Sequence, residues 1–236
     1  MRLRLASYNV QKAVGLDLRR DPARILEVIN ALGADVVALQ EADMRLGVRP
    51  AAIPRRLLEA ETDFDVVDVA ENDVSLGWHG NALLVRRGLP VTAPARLPLP
   101  GLEPRGAVAA RIGARIGEGE AGAITVIGVH LGLIRAWRRR QARALRDHAG
   151  RGDAERTAIL GDFNEWSLQK GLGPLHPAFQ IVTPGPTFPA PRPVAHLDRA
   201  ALGPGLVAHD AEVANGALAR VASDHLPIRL DVTATG

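Results

Sequence analysis

The sequence predicts a layered α/β fold, and three observations lead there. The first forty residues read as strand, helix and strand, the unit from which layered sheets are built. Short apolar runs recur at Ala123 to Val129 and Thr157 to Leu160, and each gives way to polar residues of a chemically useful kind. Hydrophobic residues make up 47% of the chain and charged residues 23%, values that allow a sizeable core and argue against global disorder. With no repeat of solenoid period, no low-complexity tract and no clear linker, one domain spanning residues 1–236 is expected.

Leu3 to Val10 alternates apolar and polar residues and reads as a strand that delivers Asn9. Asp21-Pro22 then opens a helix, the aspartate as N-cap and the proline at the first helical position. Ile25, Leu26, Ile29 and Leu32 share one face of it, and Gly33 ends it. Asp35 to Gln40 is a second strand and delivers Glu41. Ile53 to Ala60 reads as a short helix, Phe64 to Val69 as a strand, and Ala82 to Val85 as a strand fed by the loop Gly77–Asn81. The proline-rich piece from Leu89 to Pro104 is expected to be irregular. Gly106 to Ile112 and Ala123 to Val129 read as paired strands around a Gly/Glu turn at 117–122, the second delivering His130. Arg135 to His148 is helical and strongly basic, and a charge run of this kind is usually a solvated face. Residues 171–193, rich in Gly and Pro, are expected to form an extended surface loop. Ala195 to Asp198 begins a short strand, and Leu226 to Leu230 is the last.

Composition narrows the chemistry. Zero cysteines exclude disulfides, thiolate metal sites and cysteine nucleophiles. Any metal must sit on carboxylates, amides or histidines, which favours Mg²⁺ or Mn²⁺. No apolar run approaches the roughly 20 residues of a membrane span, and the N-terminus passes straight into a strand pattern without a signal region. A cytoplasmic protein acting as a monomer is expected. The net charge of +3 suits a phosphate-bearing substrate but decides little.

The stretch Ile159-Leu160-Gly161-Asp162-Phe163-Asn164 places a carboxylate and a carboxamide at the end of a buried strand, a pair able to bind a hard cation and orient water. By itself it could be an Asp/Asn turn. It is joined by Asn9, Glu41, His130, Asp198, Asp224 and His225, all at expected strand ends or in adjoining loops. Burying so many such groups unpaired would cost several kcal/mol each. Metal-assisted hydrolysis needs this inventory: carboxylates for a cation, a base for water and donors for a phosphoryl oxygen.

In this order the motifs resemble the endonuclease/exonuclease/phosphatase superfamily, the group of DNase I, the exonuclease III-like repair nucleases and the neutral sphingomyelinases. The resemblance runs from Ser7-Tyr8-Asn9 through Leu39-Gln40-Glu41, Gly80-Asn81-Ala82, Gly128-Val129-His130 and Gly161-Asp162-Phe163-Asn164 to Ser223-Asp224-His225. It implies a four-layer α/β/β/α sandwich, two mixed sheets packed face to face with helices outside. It also implies that Glu41, helped by Asn9 and Asp224, binds the metal. Asp162 would orient or deprotonate the attacking water, and Asn164 would hold the phosphoryl group or nucleophile. His225 would stabilise charge on phosphorus, oriented by Asp198, while His130 and Asn81 would touch the phosphate. Gln11 stands where the repair nucleases carry an acid, which puts a second metal on that side in doubt. His79, His148, His176, His196 and His209 are read as structural or surface groups.

The expected activity is divalent-metal-dependent phosphodiester hydrolysis, with DNA, RNA, or a lipid or small-molecule phosphodiester as substrate. A nuclease would grip nucleic acid through the Arg135–Arg146 helix, whereas a lipid substrate would use an apolar rim for which Trp78, Trp137, Trp166, Leu133 and Ile134 are candidates. The rival of another class is a non-catalytic phosphate-binding module with the same fold.

Overall fold

Strand β1 (Arg2–Asn9) lies between a parallel neighbour, β2 (Val36–Gln40), and an antiparallel one, β12 (Ile228–Ala234). These form a mixed sheet completed by β11 (Leu206–Val213) on one side and by β4 (Ala82–Arg86) and β3 (Phe64–Val66) on the other. The second sheet runs β5 (Val91–Pro98), β6 (Gly106–Ile112), β7 (Ile124–His130), β8 (Thr157–Asp162), β10 (Asp198–Leu202), β9 (Gln180–Val182). Within it β7 and β8 are the parallel pair. The computed structural model describes residues 1–113, 123–168 and 170–235. The turn expected at 117–122 lies outside the described residues.

Two-residue alternation explains the layering, because successive side chains leave opposite faces of a strand. Leu3 and Leu5, Val36 and Ala38, Leu83 and Val85 point toward the other sheet and meet Val108, Ala110, Ile124, Val126, Ala158 and Leu160. Their neighbours Ala6 and Tyr8, Val37 and Leu39, Ala82 and Leu84 face outward onto α1 (Pro22–Ala31) and α2 (Arg55–Glu61). On the far side Ala107, Ala109, Ile127, Val129 and Ile159 receive α3 (Arg135–Gly150) through Ala142, Leu145 and Ala149. Helix, sheet, sheet and helix are the four layers expected.

The signals at the helix ends hold. Asp21 accepts the Arg24 backbone N–H at 3.1 Å and Pro22 is the first helical residue. Gly33 takes a left-handed φ of 57° beyond the helix. Two expectations fail. The segment from Leu89 to Pro104 contains β5, an edge strand whose register shifts between Thr92 and Ala95. Pro94 falls inside that bulge, where a missing N–H costs the ladder nothing. The supposed loop 171–193 contains the short strand β9, which borders β10. A short helix, α4 (Ala219–Ala222), precedes the Ser-Asp-His motif.

Two positions report how tightly this frame is specified. Gly161 sits inside β8 with φ 155°, and a Cβ there would stand 1.9 Å from the Val129 carbonyl oxygen. Gly161→Ala is expected to lower stability by about 3 kcal/mol, the cost of overpacking against backbone that cannot yield. An unchanged urea midpoint would contradict the close approach of β7 and β8. Asp231, 5% exposed on β12, accepts Arg4 Nε at 2.7 Å and Arg2 Nη2 at 2.5 Å. The Arg4 hydrogen bond is foremost in holding its carboxyl down to about 2. A depressed folded value means that the stabilisation is fully present above the unfolded value of about 3.9 and is lost as pH falls through about 2. Solvent screens the pair, since the Arg2 and Arg4 side chains are 62% and 40% exposed. Asp231→Asn is therefore expected to cost only about 1 kcal/mol at pH 7. That gap should narrow below about pH 4, as urea unfolding at pH 7, 5 and 3 would show.

Candidate active site

The parallel pairs decide where the polar groups gather. In β1 and β2 the register sets Asn9 beside Gln40, so Glu41 emerges next to Asn9. In the other sheet His130 of β7 pairs with Asp162 of β8, and Asp162 with Asp198 of the antiparallel β10. One row across three strands thus carries an imidazole and two carboxylates. The two sheets meet here through Asn9 Nδ2, which donates to Asp162 Oδ2 at 3.1 Å.

Asp162 is the hub. Its Oδ1 accepts the Asn164 backbone N–H at 2.8 Å, an Asx turn that holds Asn164 at a φ of 50°. Its Oδ2 lies 3.4 Å from His130 Nε2 and 3.7 Å from His225 Nε2, besides accepting from Asn9. Asn164 Nδ2 donates to the Leu131 carbonyl at 2.8 Å, which leaves the second N–H of that amide for a ligand. Only 1% of Asp162 is exposed, and burial pushes its carboxyl above the usual range, with the charge of His225 pulling the other way.

The two histidines are driven apart. Burial holds His130 well below the ordinary imidazole value, and the positive charges of Arg105, His225, Lys12 and Arg45 add to this. Burial also opposes charge on His225. There it is outweighed by Asp198, whose Oδ2 lies 2.8 Å from Nδ1, and by Asp162 and Asp224. The two surroundings thus favour opposite forms, burial the neutral ring of His130 and the carboxylates the protonated ring of His225. Ser223 clamps the approach: its Oγ donates to the Asn9 carbonyl at 2.7 Å and accepts the His225 backbone N–H at 3.3 Å. Gln11 Oε1 accepts the Asp224 N–H at 3.1 Å, so the residue standing in place of an acid positions Asp224 instead. Phe188 packs against the His225 ring at 5.0 Å between centroids, with exposed Trp166 edge-on to Phe188 at 6.2 Å.

Glu41 has a left-handed φ of 54°, uncommon for a long side chain and typical of strained functional positions. Its carboxylate is paired with the Lys12 ammonium. Asp224 is raised chiefly by burial, and the negative charge of Glu41 raises it further. The oxygens of Glu41, Asp224 and Asn9 are of the kind a hard divalent cation takes, and Asn9 Oδ1 also accepts the Gln11 N–H at 3.2 Å. Among the described residues no group of three or more His, Asp or Glu side chains is placed to hold a metal ion.

Asn81 stands apart. It is fully buried, its Nδ2 donates to the Gly106 carbonyl at 3.0 Å, and no described contact joins it to Asp162. The basic helix is less solvated than expected, because Arg135 and Arg138 turn onto the buried carboxylate of Glu165 at 2.9 and 3.0 Å. His79, expected to be structural or superficial, lines a cleft with Lys12, Glu41, Arg45, Arg105 and His130. Of these, Lys12, Arg45 and Arg105 escape sequence reasoning, since a single cation in a loop has no local signature.

The fold and this cluster define a two-sheet hydrolase scaffold of the DNase I-like kind, whose members act on phosphoester bonds. The chain belongs to the endonuclease/exonuclease/phosphatase family, whose sequence profile matches residues 6–225. Among solved structures it is similar to an endonuclease/exonuclease/phosphatase from Beutenbergia cavernae, with 22% identity and a TM-score of 0.74, covering 100% of this chain and 72% of that one. It is also similar to the Bacteroides thetaiotaomicron mannosyl-6-phosphatase, with 15% identity and a TM-score of 0.74 over 98% of this chain and 99% of that one. D. rerio TDP2 complexed with a single-strand DNA product gives 18% identity and a TM-score of 0.73, again over 98% and 99%. A comparison with curated protein sequences gives no match.

Proposed function

We propose that the protein hydrolyses a phosphodiester with a divalent cation, Mg²⁺ or Mn²⁺, by direct attack of water and without a covalent intermediate. The observation that carries this reading is Asp162 Oδ2, buried and approached at once by Asn9, His130 and His225. Glu41, Asp224 and Asn9 would hold the cation, which supplies positive charge to polarise the phosphoryl group. Asp162 takes the proton of the attacking water, and Asn9 and the Asn164 backbone N–H fix the direction of its lone pairs. Asn164 and neutral His130 donate to phosphoryl oxygens. The imidazolium of His225 answers the charge that develops on phosphorus, and Asp198 keeps that ring protonated and aimed. Asn81 supports the site indirectly by tying the turn after Trp78 to the start of β6.

Relatives of the same fold include a sugar phosphatase and a protein complexed with a DNA product, so the phosphoester class is supported without choosing among substrates. Hydrolysis of bis(p-nitrophenyl) phosphate tests the reading directly. Release should need Mg²⁺ or Mn²⁺, stop with EDTA and be absent from Asp162→Ala. Release that persists in EDTA would remove the cation from the proposal, and equal release by the variant would remove Asp162.

A further inference from the structure

Beside the reaction site, on its Glu41 and His130 side, lies a small cleft of about 90 Å³ whose walls come from the loops at residues 43–49, 79–80 and 103–105. Its hydrogen-bonding capacity is unevenly used. Asp43 spends both oxygens on the Leu76 and Gly77 backbone N–H groups, at 2.6 and 3.2 Å. Glu103 accepts Arg105 Nη2 and Nε on one oxygen, Oε2, at 2.9 and 3.1 Å. The donors are less committed. Arg45 is exposed and makes no hydrogen bond or ion pair among the described residues. Arg49 Nη1 stands 2.6 Å from His79 Nδ1. Because a guanidinium can only donate, Nδ1 must accept, and the ring proton of His79 sits on Nε2. Each carboxylate of the cleft thus already has a donor, Glu41 from Lys12, Asp43 from the backbone and Glu103 from Arg105. Arg45 and the Nε2–H of His79 have no described partner, and the cleft is close enough to His130 for Arg105 and Arg45 to depress that ring's basicity.

We infer that this cleft is a subsite for a second anionic group of the substrate, a phosphate held by Arg45 and His79 while the scissile phosphate is held by Asn164, His130 and His225. The inference rests on the phosphoester-hydrolase reading and narrows it. The free donors of Arg45 and His79 suit a tetrahedral anion. A quaternary ammonium headgroup carries the wrong charge for them. The second phosphate belongs either to the next unit of a nucleic-acid strand or to a small bisphosphate.

Calorimetric titration of the full chain with inorganic pyrophosphate and with inorganic phosphate, both without divalent cations, tests the subsite independently of turnover. Pyrophosphate is expected to bind at least about tenfold tighter, the usual size of one added charge-assisted contact. Arg45→Ala should bring it to within about twofold of phosphate on the same grounds. Arg143→Ala, which removes an exposed charge on α3, should keep the preference. No preference in the unaltered protein, its survival in Arg45→Ala, or equal loss in Arg143→Ala would each overturn the inference. Turnover then separates the sources. Better kcat/KM for dithymidylate with a 5′-phosphate than without one assigns the strand. Better kcat/KM for glycerol 1,3-bisphosphate than for glycerol 3-phosphate assigns the small molecule. A preference in neither pair, with turnover present, also overturns it. Pyrophosphate preference without turnover of any substrate keeps the subsite and removes the hydrolase reading.

Discussion

Asp162→Asn is expected to cut kcat by about 10²- to 10⁴-fold, the range for loss of a positioned general base. The amide keeps the shape of the carboxylate but cannot take a proton from water. It also turns a pure acceptor into a group that meets Asn9 Nδ2 with an N–H or an oxygen, never with two equivalent oxygens. Asp162→Ala should reach a similar rate, with an added stability loss of about 1–3 kcal/mol because the Asn9 amide and the Asn164 N–H lose their acceptor. Measuring kcat and the urea midpoint on both variants separates the two effects. Activity within tenfold of the unaltered protein in either variant is incompatible with the proposed role.

Replacing His225 by alanine should lower kcat by about 10²- to 10³-fold, as removal of one charge-stabilising group does elsewhere. Asp198→Asn is the more informative change. Asp198 touches His225 and, through Oδ1, no other described partner. Its loss should leave the imidazole in place but no longer held as a cation, lowering kcat by about 10- to 100-fold with little change in KM. A fall in KM-dependent binding with kcat intact would instead make His225 a simple phosphate contact.

The sequence carries β1, α1 and β2 plainly because alternation, an Asp-Pro cap and a terminal glycine agree about them. Strand β5 was hidden by its proline and by its exposed edge position, where burial imposes no alternation. Strand β11 escaped for a related reason, since most of its residues face solvent and a register shift between His209 and Glu212 breaks its pattern. The reaction site is legible as polar residues where strands stop. Its partnerships are not, because they depend on register: only the pairing of β7, β8 and β10 sets His130, Asp162 and Asp198 in one row. Lys12, Arg45 and Arg105 come from three separate segments between strands, and nothing short of the fold brings them together.

The bond from Asn9 to Asp162 crosses between the sheets, so the reacting groups are divided between the two sheets. Their separation is set by what lies between them, including Gly128, where a Cβ would press on Leu83 at 3.2 Å and on Ala38 at 3.3 Å. The interior is thus a spacer for the chemistry as well as a source of stability. A bulkier residue there would move the catalytic halves apart like a shim in a hinge, so the thickness of the core matters to the chemistry as well as its free energy.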